Sequence, residues 1–238
     1  MPRDLIQREI LTELEPIAED CVHRHLSMTK DWHPHDYIPW EQGRNFAMLG
    51  GIDWDPDQSR LSEVAKAAMI TNLLTEDNLP SYHREISGNF SRDGAWGTWI
   101  GRWIADKMSQ RIAADENLHM IFYRTVCGAA LDLVPDQAIE AVDAIVRNFQ
   151  MPGAGLPNFR RHGVLMAKHG VYDLRQHLEE VLAPVLRQWN IFGRNDFTAR
   201  GEQVREWLAT YLDDLERVRI PEFEEQRDRL LARERARA

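Results

Sequence analysis

The residues best placed to do chemistry lie in "RIAADENLHMIFYR" (111–124), where Glu116 stands three positions before His119. On a helix, positions i and i+3 share a face, so this pair can offer a carboxylate oxygen and an imidazole nitrogen to one ion. An isolated Glu-x-x-His is a weak signal, and most isolated instances are a polar spot on an ordinary helix. The flanking Ile112, Met120 and Tyr123 suggest that this face points inward. A second candidate is Glu76, on a stretch that carries Met69, Leu73 and Leu74 and ends just before Pro80. A carboxylate facing a core is costly unless it is paired or bound to a cation. A helix cap or a salt bridge would satisfy Glu76 as well as a metal would.

Nearly every periodic segment has the helical repeat, and neither strands nor hairpin signals stand out, so the fold class is all-α. Helices are expected over about 4–28, 61–90 with a kink at Pro80, and 95–131 as one long helix. Further helices are expected over 135–149, 158–169, 173–190 and 199–219, the last broken by Pro221. A charged helix over 222–236 follows, expected to be solvated and prone to fray. The Trp- and Pro-rich stretch 31–59 is expected to pack on the helices. One all-α domain over 1–238 is expected, with a core over about 4–200 and a charged helical tail over about 201–238.

The 238 residues carry 29 Lys and Arg against 38 Asp and Glu, a net charge of −9, which argues against nucleic acid as the main partner. No apolar run approaches a membrane span. The acidic N-terminal stretch does not read as a signal or transit peptide. The two cysteines, Cys21 and Cys127, form no disulfide framework, so a reducing cytoplasm is expected.

Taken together, "LTEDNLPSYHREI" and "ADENLHMIFYR" resemble the acyl-[acyl carrier protein] desaturase family, the soluble di-iron fatty-acid desaturases. "WHPHDYIPW", "DGAWGTWIGRW", "FQMPG" and "GVYDLRQHLEEVLAPVLRQWNIF" extend the resemblance colinearly over roughly 10–200. It implies a ferritin-like di-iron bundle with additional C-terminal helices, and two Fe2+ held by two lone glutamates and two Glu-x-x-His pairs. Glu76 matches the first lone glutamate, and Glu116 with His119 matches the second Glu-x-x-His. Asp115 matches an acid that orients a ligating histidine, with Trp32 matching the tryptophan on its other side. The implied activity is O2-dependent insertion of a cis double bond into an acyl chain borne by acyl carrier protein. A ferredoxin-type donor and a homodimer are implied with it. Met69, Leu73 and Ile112 would line the acyl channel or form plain bundle core. The acidic carrier protein would dock on Arg160, Arg161 and Lys168, aided by His162 and His169, unless these form a solvated helix face.

Half of the implied ligand set has no counterpart. If 61–90 and 95–131 pair as a hairpin turning near Arg92, the level opposite Glu76 falls near position 108. Glu116 lies eight residues further on, roughly 12 Å at 1.5 Å per residue. The family's spacing from Trp103 puts the absent Glu-x-x-His at 107 and 110, where this chain has Lys107 and Gln110. The chain reads as though a segment between Trp103 and Ile104 has been lost. Two other functions stay open: a catalytically dead desaturase-like protein with an incomplete site, and a ferritin-like iron-binding dimer that shares half-sites.

Overall fold

The computed structural model describes residues 5–29, 45, 47–53, 55–76, 79–109, 112–151 and 153–237. Its helices are α1 (Gln7–Met28), α2 (Glu63–Glu76), α3 (Leu79–Asn89), α4 (Gly94–Ser109), α5 (Ile112–Leu133), α6 (Pro135–Arg147) and α7 (Phe159–Lys168). Then come α8 (Leu174–Gln176), α9 (Ala183–Gln188), α10 (Ala199–Asp214) and α11 (Ile220–Arg235). No strand occurs among the described residues, and none of their helices is long and apolar enough to cross a membrane. Trp32 and most of the expected packed stretch 31–59 lie outside the described residues.

Two apolar clusters hold these helices, and α5 belongs to both. The first joins Leu14, Ala18 and Val22 of α1 to Trp96 and Trp99 of α4 and to Phe122 and Val126 of α5. Polar contacts fix its register. The Trp96 indole N–H donates to the Leu11 carbonyl at 3.0 Å, and the backbone N–H of Ala95 donates to Glu15 Oε1 at 2.6 Å. The latter contact gives a half-buried donor at the start of α4, which has no partner within its own helix, an acceptor from another helix. The second cluster gathers Leu131 of α5 with Ile139 and Val146 of α6, and with Leu178, Leu182, Leu186, Ile191 and Phe197. Beyond position 200 it takes in Val204, Leu208, Leu215 and Ile220.

The stretch 61–90 is helical over α2 and α3, with Pro80 inside α3, and the stretch 95–131 is helical over α4 and α5. The joins at 77–78 and 110–111, on which the expected kink and the single long helix depend, lie outside the described residues. Pro221 does not break the chain, because a wider π turn over Leu215–Arg219 leads from α10 into α11 and the Ile220 N–H donates to the Leu215 carbonyl. Pro184 is handled in the same way. A π turn over His177–Leu182 precedes it, and the Ala183 N–H reaches the Leu178 carbonyl. A proline ring clashes with the carbonyl four residues back, and the wider turn relieves that crowding.

The C-terminal helix is clamped rather than frayed. Arg175 makes a bidentate pair to Glu224 of α11, with distances of 2.6 and 2.8 Å. Arg227 reaches Asp173 at 3.3 Å, and Lys168 pairs with Glu234. The expectation that Met69, Leu73 and Leu74 face inward is also overturned. They are 60%, 69% and 37% exposed, because α2 turns Ala67 and Thr71 inward and packs on α7.

Candidate metal centre

His119 is the described member of the predicted ligand pair, and it is buried at 3% exposure. It sits one turn into α5 from Glu116. Its ring stacks nearly parallel to His25 of α1, with centroids 5.7 Å apart and planes at 9°. Trp99 presents an edge-on contact to both rings, at 5.5 Å to His119 and 5.3 Å to His25. Trp99 in turn stacks on Phe122 at 3.7 Å, and its indole N–H reaches the Tyr123 hydroxyl at 3.4 Å. Burial pushes the Tyr123 phenol above its usual range, and the hydrogen bond from Trp99 offsets part of that rise. His119 thus sits in a dry aromatic and imidazole cluster between α1, α4 and α5, in agreement with an inward-facing ligand face. Met120 beside it is 40% exposed, contrary to the expectation of an inward flank.

His25 was not among the residues expected at the site. Its one sequence signal is its i, i+4 spacing from Cys21 on α1, which puts both on one face, and both are buried.

The remaining predicted residues are placed by their backbones. Glu76 closes α2, and Asp115 and Glu116 lie in the first turns of α5; all three side chains lie outside the described set. The helices that carry them have different neighbours. The main described contacts of α2 are with α7, and those of α5 are with α1 and α6. The middle of α2 meets α7 through Thr71 Oγ1, 3.4 Å from His162 Nδ1. Among the described residues no three His, Cys, Asp or Glu side chains converge on a point where an ion could sit. The basic cluster on α7 is reduced as well. Lys168 is taken up by Glu234, whose carboxyl it holds below the usual range, and His162 faces Thr71, while Arg160 and Arg161 stay exposed.

The donor chemistry completes the test for iron. Two Glu-x-x-His pairs and two further glutamates hold a pair of irons in ferritin-like di-iron proteins. This chain supplies one such pair and Glu76, and it has Lys107 and Gln110 where the other pair would stand. Helix α4 runs through the Trp103–Ile104 junction without interruption. The residues of one chain therefore do not fit a complete two-iron centre.

A family model described as fatty acid desaturase matches residues 6–108 and 104–237. Together these segments span nearly the whole chain, and they overlap at 104–108. DesA1 of Mycobacterium tuberculosis, provisionally named an acyl-[acyl-carrier-protein] desaturase, is 41% identical over 315 residues, covering 98% of this chain and 93% of its own length. With 238 residues here, at least 77 of those 315 positions face nothing in this chain. DesA2 of the same organism, also provisionally named an acyl-[acyl-carrier-protein] desaturase, is 45% identical over 106 residues, or 44% of this chain and 38% of its own length. The X-ray structure of DesA2 superposes with a TM-score of 0.66 at 24% identity, covering 82% of this chain and 99% of that one.

This chain belongs to the acyl-[acyl carrier protein] desaturase family, with its all-α ferritin-like fold, and it lacks an internal segment near Trp103–Ile104.

Proposed function

We propose that the chain acts in fatty-acid biosynthesis in the cytoplasm, on acyl groups borne by acyl carrier protein. The reaction is O2-dependent insertion of a cis double bond: two hydrogens leave neighbouring methylenes, and O2 is reduced with electrons from a ferredoxin-type donor. The observation that supports this reading is the 41% identity to DesA1 across 98% of the chain. Glu76, Glu116 and His119 supply half of a two-iron ligand set, with Asp115 and Trp32 behind them. Desaturation then requires donors from outside the chain, and a homodimer that brings two such halves together is the simplest source. Arg160 and Arg161 are the residues of α7 left to meet the acidic carrier, with Lys168 already engaged by Glu234.

A second reading, a desaturase homologue that binds without oxidising, is favoured by Lys107 and Gln110 at the positions of the absent Glu-x-x-His. Iron stoichiometry after anaerobic loading separates the two readings. It is to be combined with product analysis of a saturated acyl carrier substrate supplied with O2 and reduced ferredoxin. A shared centre gives about one iron per chain in a dimer, since two irons serve two half-sites, and it yields an unsaturated product. No bound iron and no product from the folded chain would overturn the enzyme reading.

A further inference from the structure

A polar cavity of about 490 Å3 opens where α1, α5 and the end of α9 meet the loop that follows it. Three arginines from three separate elements line it: Arg24, Arg124 and Arg194. Arg194 is already saturated. It bonds Asp132 at 2.8 Å and the Leu131 carbonyl at 3.0 Å, and it also pairs with Asp196. Arg24 and Arg124 have no carboxylate partner among the described residues, and the single side-chain contact of the Arg24 guanidinium is with Cys21 Sγ at 3.4 Å. Other described arginines, such as Arg160 and Arg161, also lack a carboxylate partner among the described residues, but Arg24 and Arg124 face one cavity together, whose carboxylate Asp132 is held by Arg194.

The cavity also has a fixed frame. The Trp189 indole N–H donates to the carbonyl of Arg124 at 2.9 Å, pinning the loop to the helix turn that bears this arginine. Gly128 keeps the adjoining wall low, since a Cβ there would already touch the Trp189 ring at 3.4 Å. Arg124 itself is half-buried. A guanidinium presents a planar fork of donors that matches the oxygens of phosphate, and such charge-assisted bonds strengthen as water is excluded.

We propose that this cavity is a binding site for a small phosphate-bearing anion, held by Arg24 and Arg124 and walled by Arg194, Gln188 and Trp189. The site is separate from the candidate metal centre and does not depend on the catalytic reading. Free phosphate and a phosphomonoester share the chemistry, and the assay distinguishes them.

The test is isothermal titration of the full chain with inorganic phosphate, and separately with glycerol 3-phosphate, at constant ionic strength. Saturable binding of one anion per chain is expected. It should weaken roughly tenfold or more in Arg124→Gln and in Arg24→Gln, the scale of one lost charged hydrogen bond. Arg187→Gln, a control away from this cavity, should leave it unchanged. Preference for glycerol 3-phosphate identifies an organic phosphate as the ligand, and equal binding identifies free phosphate. Circular dichroism establishes that each variant is folded. No saturable binding to the parent chain, or equal binding by the parent and both cavity variants, would overturn the proposal.

Discussion

Replacing Trp99 by alanine tests whether the cluster around His119 is a packed core. Trp99 is fully buried, stacks on Phe122 at 3.7 Å and touches His25, His119 and Tyr123 edge-on. Truncating a buried tryptophan typically removes about 3–5 kcal/mol, and a well-formed aromatic pair adds about 0.5–1.5 kcal/mol. The expected loss is therefore about 4–5 kcal/mol, a large share of the roughly 5–15 kcal/mol that holds a folded protein together. For a chain of this size, each kcal/mol lowers Tm by about 2–4 °C, so Trp99→Ala should melt about 8–20 °C below the parent. Trp99→Phe keeps a stacking ring and gives up the N–H bond to Tyr123. Its loss should be about 1–2 kcal/mol, the scale of one hydrogen bond plus a small volume change. Thermal melts followed by far- and near-ultraviolet circular dichroism make the comparison. A loss below about 1 kcal/mol in Trp99→Ala, or equal losses in both variants, would refute a tightly packed cluster at this position.

Two further outcomes follow from particular contacts. His177 stacks on Phe149 at 4.4 Å and lies 2.7 Å from the Tyr172 hydroxyl, and burial holds its imidazole below the ordinary range. Its stabilising effect should be complete above the unfolded pKa near 6.5 and lost as pH falls from there toward the folded value. The slope is at most about 1.4 kcal/mol per pH unit; urea melts between pH 7.5 and 5 should show it in the parent and a flatter profile in His177→Phe. Gly201→Ala inverts the usual preference of about 1 kcal/mol for alanine in a helix. The new methyl would stand 2.2 Å from Asp136 Oδ1 and 2.9 Å from the Phe197 ring, and a lowered Tm, rather than a raised one, is the expected result.

Much of the helical order was legible because each segment carries its apolar period within itself, as in α6, α7 and α10. Glu116 and His119 were legible as a candidate pair because they are neighbours on one helix, but it is the resemblance to the desaturases, and not the spacing, that turns the pair toward metal. What escaped the sequence depends on separate elements meeting. Pro221 reads as a break until the π turn before it is seen, and the similar turn before Pro184 lets the helix expected over 173–190 carry a proline. The apolar positions of α2 look inward because their spacing is helical, yet spacing does not say which stripe a neighbour will cover. His25 and His119 lie on different helices, as do Arg24 and Arg124, and no linear pattern announces that the members of either pair meet.

The open stripe on α2 has a consequence for the life of this protein in a cell. Met69, Ile70, Leu73 and Leu74 form a run of greasy side chains in contact with water, on the helix that ends at Glu76. Contiguous apolar surface of this kind is what chaperones grip and what drives colloidal association. Those four side chains therefore bear on the yield of this chain and on its tolerance of concentration, before any question of iron or substrate arises.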